Sequence, residues 1–154
     1  MLRNVALFLA LFLVSLTAGR AFWVVMGENP LKLSAATYIE FFQKLDKGAA
    51  VPIAITGIGG ALFAGISAFL HRQDRVVFGF LLLACVLTAI SCLVTISVNV
   101  PINNQIATFN PASPPDNYLQ LVTRWWHWHQ VRCATLMPSM VLLCVAALIR
   151  KQPM

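Results

Sequence analysis

Four apolar runs, each about as long as the hydrocarbon core of a bilayer is thick, leave this chain few folds to adopt. They cover about residues 5–26, 50–70, 76–98 and 126–149, and roughly 20 helical residues at ~1.5 Å each cross a ~30 Å layer. Inside lipid every backbone N–H and C=O needs an internal partner, which restricts spanning segments to helices or closed barrels. Runs that are continuously apolar rather than alternating specify helices. The chain is 154 residues long, 59% hydrophobic and 10% charged, whereas a soluble globule carries about a quarter charged residues. The expected fold is therefore all-α: a single integral membrane domain over 1–154, built as a four-transmembrane-helix bundle.

The connections refine that expectation. The first run continues past Arg20 through Ala21 to Met26, beyond where the apolar core of a signal peptide stops, and so reads as a retained span. Glu28-Asn29-Pro30 ends it. From Ser34 to Lys47, Tyr38, Phe41, Phe42 and Leu45 recur at three- and four-residue steps, the pattern of a short interfacial helix between spans 1 and 2. In span 2, Gly57, Ala61 and Gly65 form one stripe and Gly60, Ala64 and Ala68 the next. Small residues every four positions let another helix approach closely, and in a protein that assembles with a second copy or a partner membrane subunit this stripe would stay exposed. The link His71–Arg75 is too short for anything but antiparallel neighbours, with His71 expected in solvent. Span 3 is expected to leave through Asn99-Val100-Pro101 into a Pro/Asn-rich loop over 102–117, and Leu119–Ile149 reads as one helix with a kink at Pro138. Cys85, Cys92, Cys133 and Cys144 lie in or beside apolar runs with no metal or redox spacing, and are read as small hydrophobes.

The net charge of +6 is not a nucleic-acid signature, because the basic residues stand singly or in pairs at the ends of apolar runs. The implied partner is the lipid bilayer. Arg3, Arg72, Arg75, Arg150 and Lys151 share one side of a four-span arrangement; Lys32, Lys44, Lys47 and Arg124 share the other, with Arg20 and Arg132 at its margin. The tight clusters favour both termini in the cytoplasm, in a bacterial inner membrane.

Polar chemistry concentrates in Arg124-Trp125-Trp126-His127-Trp128-His129-Gln130-Val131-Arg132. With helical rise as a ruler, Arg3 to Arg20 is about 25 Å, Arg150 back to Arg132 about 27 Å, and Arg75 to Asn99 about 36 Å. Arg20, Arg132 and Asn99 therefore reach the same edge of the membrane. Trp125, His129 and Arg132 share one helix face, whereas Arg124, His127 or Trp128, and Val131 share another. Arginines at this depth need acids, and Glu28 or Glu40 is expected to pair with Arg132 or Arg20. The tryptophans also fit a plain interfacial belt. His127 and His129 diverge by about 200° on a helix and cannot chelate one ion, so no metal site is expected.

Asn99-Val100-Pro101-Ile102-Asn103-Asn104 and the Trp-x-x-x-His-x-x-Arg pattern of Trp125, His129 and Arg132 resemble the anthrone oxygenase-like family of small four-span membrane proteins. The resemblance implies oxidation of anthrones to anthraquinones by molecular oxygen, with no metal or organic cofactor, though relatives need not keep that substrate. It implies a planar, lipid-soluble phenolic or quinone-like ligand. His129 or His127 would be the base, and Arg132 with Asn99, Asn103 and Asn104 would hold the oxyanion. Trp125 and Trp128 would stack on the rings, with Arg20 at the same level. The competing expectation is a non-enzymatic membrane module, either an accessory subunit or a binder of lipid or quinone. Haem binding and transport are weaker alternatives.

Overall fold

The computed structural model describes residues 1–46, 48 and 50–150. Lys47 and Lys151, counted above among the basic residues at span ends, lie outside the described residues.

The first helix, α1 (Leu2–Gly27), is closed by the Asn29-Pro30 turn, where Asn29 Oδ1 accepts from the Leu31 N–H at 2.9 Å. Ser34 Oγ accepts from the Thr37 N–H and starts α2 (Ala35–Phe41), which widens into a π-helical turn over Phe42–Asp46. Then come α3 (Ala50–Leu70) and α4 (Arg75–Val94), the latter capped by Asp74 Oδ1 on the Val77 N–H. A second π turn, Thr95–Asn99, runs directly into α5 (Val100–Ile106), and α6 (Tyr118–Ile149) ends the described chain. Among the described residues, four helical stretches are long and apolar enough to cross a membrane: Leu2–Lys32, Val51–Leu70, Arg75–Ile106 and Tyr118–Ile149. The fold is an all-α four-helix bundle.

Around the bundle the main neighbours are α1–α3, α3–α4, α4–α6 and α6–α1. Small residues set the approach of α3 to both its neighbours. A Cβ on Gly60 would sit 2.8 Å from Val14 Cγ2 of α1, one on Gly57 3.3 Å from Cys92 Sγ, and one on Gly65 3.4 Å from Cys85 Sγ. The glycine stripe is thus consumed inside the chain, contrary to the surface expected for a partner subunit, because two stripes a few residues apart face two different helices. Lipid offers no hydrogen bonds, so buried hydroxyls tie helices together. Thr17 Oγ1 reaches Thr56 Oγ1 at 3.0 Å between α1 and α3. Ser139 Oγ donates to the Ala84 carbonyl at 2.9 Å and lies 2.7 Å from Thr88 Oγ1 between α6 and α4. Ser139 follows Pro138, which α6 accommodates without interruption.

The core has three parts, the smallest being Ala18 and Ala21 of α1 against Leu136 of α6. Leu7, Val14, Leu81 and Leu143 fill the end nearer the termini, and Ile39, Phe42, Ile106, Val122 and Trp126 fill the other beneath α2 and α5. Outward-facing Ile55, Leu62 and Phe69 are well exposed, the apolar coat of a lipid-facing surface.

Several expectations are corrected. Span 3 does not unwind at Asn99 but continues to Ile106, because the Val100 N–H donates to the Thr95 carbonyl five residues back. That wider turn admits Pro101, which lacks an N–H and whose ring would strike a carbonyl four residues earlier. The loop is therefore only 107–117, held by Gln43 Nε2 on the Phe109 carbonyl at 2.8 Å and a turn closed by Ser113 N–H on Asn110 O. Leu45 is 67% exposed rather than packed with Tyr38 and Phe42, since the π turn carries it off their face. His71 is buried rather than solvated, its Nδ1 bonded to the Ser67 carbonyl one turn back at 2.8 Å.

Candidate functional site

Steps of four, three and four residues place Trp125, His129, Arg132 and Leu136 on the inner face of α6, and all four are buried. The His129 ring is stacked on Trp125, with centroids 4.8 Å apart and planes 12° apart, and lies nearly parallel to Trp126 at 6.2 Å. Its Nε2 is 3.1 Å from the Ala21 carbonyl of α1. A carbonyl only accepts, so Nε2 carries the hydrogen and the lone pair resides on Nδ1. Arg132 Nη1 stands 3.5 Å from that nitrogen. Packing and one hydrogen bond thus fix both the plane and the tautomer of the imidazole.

From α1, Arg20 Nη1 pairs with Glu28 Oε2 at 2.9 Å, while Trp23 Nε1 donates to Glu28 Oε1 at 2.8 Å. This is the acid expected to meet Arg20. Glu40 instead pairs with Lys44 on its own helix at 3.1 Å.

Asn99 arrives from the π turn and is 1% exposed. Its Nδ2 donates to the Trp125 carbonyl at 3.2 Å, which settles the amide orientation, since the reverse would oppose two oxygens. Among the described residues, the buried Asn99 Oδ1 and Asn103 Oδ1 receive no hydrogen and the Trp125 Nε1–H finds no acceptor. At Asn99 one of the two Nδ2 hydrogens is thus committed to the Trp125 carbonyl, and Oδ1 adds an open acceptor beside the cavity.

These groups surround a cavity of about 110 Å³ whose polar wall includes Arg20, Glu28, Asn99, Asn103, His129 and Arg132, with Trp125 beside them. Ile58 and Ile96 line the same cavity yet are 55% and 58% exposed. Its rim therefore reaches the apolar outer surface between α3 and α4.

Three residues expected here lie elsewhere. His127 is exposed and, with half-buried Trp128 and Arg124, lines a shallow groove on the outside of α6; the His127 and Trp128 rings meet edge to face at 6.0 Å. Asn104 is exposed, about 100° around its helix from Asn103. Trp125 lines the cavity with one of its two faces already covered by the His129 ring. Conversely, Thr17, Tyr38, Ser91 and Thr95 line the cavity without having been singled out. A signal existed: Ser91, Thr95, Asn99 and Asn103 are polar at unbroken four-residue steps in an otherwise apolar run. Among the described residues no three His, Cys, Asp or Glu side chains gather as a metal site.

Fold and site together define a small helical membrane protein whose bundle encloses a polar cavity toward one end. The chain belongs to the anthrone oxygenase family: residues 41–142 match the model described as "Anthrone oxygenase". No curated protein and no solved structure matches it. The matched segment excludes α1, although α1 supplies Arg20 and the Ala21 carbonyl to the cavity wall.

Proposed function

We propose that the protein is a cofactor-independent oxygenase that oxidises a planar, lipid-soluble phenolic compound of the anthrone type with O2. The observation that supports this best is His129, whose unprotonated nitrogen is held beside Arg132 at the wall of a cavity reachable from lipid. His129 Nδ1 takes a proton from the activated ring CH2. The electron pair left behind spreads onto the ring-carbonyl oxygen, where the guanidinium of Arg132 stabilises it in a medium of low dielectric. The carbanion passes one electron to O2, and the resulting radical pair combines into a C–O bond. The imidazolium returns its proton to the outer oxygen, giving a hydroperoxide. Loss of the second C–H proton then breaks the O–O bond and releases water. In sum, CH2 and O2 become C=O and H2O, with carbon oxidised and oxygen reduced. Asn99 Oδ1 and Asn103 Oδ1 accept hydrogens from ring hydroxyls of the substrate.

The rim between Ile58 and Ile96 suits a ligand dissolved in the bilayer. The arginines at the opposite end favour both termini in the cytoplasm of a bacterial inner membrane, with the cavity in the outer half.

The test is O2 uptake by purified protein in mild detergent with a hydroxylated anthrone, corrected for uncatalysed autoxidation. His129→Ala should lower the catalysed rate by about 10²–10⁴, the usual contribution of a general base, in a variant that still folds and binds ligand but melts lower, because the imidazole packs on Trp125 and bonds the Ala21 carbonyl. Unchanged uptake rejects His129 as base. Tight binding without any uptake by the unaltered protein would replace the oxygenase with a ligand-binding membrane module.

A further inference from the structure

A second polar site lies at the end of the bundle remote from the cavity. There α1 and α4 begin and α6 ends, and each brings an arginine to one cleft of about 670 Å³: Arg3, Arg75 and Arg150. Among the described residues none of the three guanidinium groups makes a hydrogen bond or an ion pair. The one acid at the cleft, Asp74, commits Oδ1 to capping α4 at the Val77 N–H. His71 also lines it, 8% exposed and fixed by its Nδ1–H on the Ser67 carbonyl.

Setting the sidedness of a membrane protein requires only net positive charge on one side. It does not require guanidinium groups from three helices to converge. Arg72 shows the difference: in the same turn it folds back, its guanidinium 4.4 Å over the Phe69 ring and donating to the Phe69 carbonyl. Three arginines lining one hollow outnumber the single carboxylate of Asp74 and leave a net positive site that an anion would relieve, and guanidinium forks match phosphate oxygens. The apolar rim narrows the choice of anion. Val76 and Ile149 line the same cleft, are 61% and 44% exposed, and sit where apolar helices give way to charged ends.

We propose that this cleft binds the headgroup phosphate of an anionic phospholipid, with Arg3, Arg75 and Arg150 on the phosphate and Val76 and Ile149 against the first acyl methylenes. Basic pockets between spans are the physical pattern by which membrane proteins hold such headgroups. The site is remote from the cavity, so it stands whatever the cavity catalyses.

The test is native mass spectrometry of the full chain in mild detergent, offered phosphatidylglycerol or phosphatidylcholine with identical acyl chains. The unaltered protein should retain phosphatidylglycerol about tenfold better, and Arg75→Gln or Arg150→Gln should each remove most of that preference, as loss of a charge-assisted contact implies. Arg72→Gln should leave it intact. Arg3→Gln, in the exposed first turn of α1, covers the case in which an inner variant fails to fold. Equal retention of the two lipids overturns the proposal. So does an Arg72→Gln loss as large as that of Arg150→Gln, which would mean a diffuse field. Displacement of the lipid by millimolar inorganic phosphate also overturns it, marking a site for a soluble anion.

Discussion

Replacing Asn99 with leucine separates what this residue does for the fold from what it does for a ligand. The substitution removes the Nδ2 hydrogen bond to the Trp125 carbonyl, a net loss of about 0.5–1.5 kcal/mol. That carbonyl keeps its place in the α6 ladder, so it is not left bare. The substitution also removes Oδ1, a buried acceptor with no donor among the described residues, whose burial costs about 1–3 kcal/mol. Leucine is the bulkier side chain, but Asn99 lines the cavity, which has room for the excess, so no void is left and overpacking is limited. The balance is centred on a gain of about 1 kcal/mol, within limits of about −0.5 to +2.5 kcal/mol, or a rise of roughly 2–4 °C in Tm at the centre for a chain of this size. Binding should move the other way. A substrate hydroxyl that loses its acceptor in a dry cavity costs about 1–3 kcal/mol, or about five- to 150-fold in Kd. Thermal unfolding in detergent and tryptophan quenching by a hydroxylated anthrone measure the two quantities on one sample. A Tm several degrees lower with unchanged affinity would show that Asn99 is a tie between α4 and α6, and would refute the role given to its oxygen.

Three further substitutions probe the bundle and its access route. Gly60→Ala should be about 1–3 kcal/mol less stable than Gly79→Ala. The new Cβ meets Val14 Cγ2 at 2.8 Å in the first case and nothing within 4 Å in the second, while the helix-propensity gain of about 1 kcal/mol is common to both; equal melting temperatures would refute the close contact. Ser139→Ala should lose about 0.6–1.7 kcal/mol, the range for a hydrogen bond between membrane helices, measured by titration with a denaturing detergent; no loss would mean the Thr88–Ser139–Ala84 contact contributes nothing. Ile58→Trp should slow ligand association in stopped-flow fluorescence with little change in equilibrium affinity, and an unaltered rate would place the entrance elsewhere than between α3 and α4.

Much of this was legible in the residues because membrane helices obey simple geometry. Span length follows from bilayer thickness, and steps of three and four residues suffice to put Trp125, His129 and Arg132 on one face. The ruler from Arg3 to Arg20 likewise put Arg20 at the level of Arg132 and Asn99, with which it lines one cavity. What stayed illegible depended on contacts between helices. A nine-residue cluster rich in His and Trp looks like one site, but the helix turns about 100° per residue and sends His127 and Trp128 outward. Pro101 read locally as a helix end, whereas a π turn absorbs it and swings Asn99 inward. No local pattern says which end of an amide faces a cavity. That was decided at Asn99 by the Trp125 carbonyl on another helix.

The first and last helices share one wall of the cavity: the Ala21 carbonyl of α1 holds the imidazole of α6, 108 residues away. A ribosome makes these parts at opposite ends of its task. Until the final span has threaded into the bilayer and swung back against the first, a nascent chain has arginine, amide and indole groups but nowhere for them to meet. The pocket is thus the seam along which the bundle of helices is sewn shut, and it has no wall on that side until α6 has packed against α1.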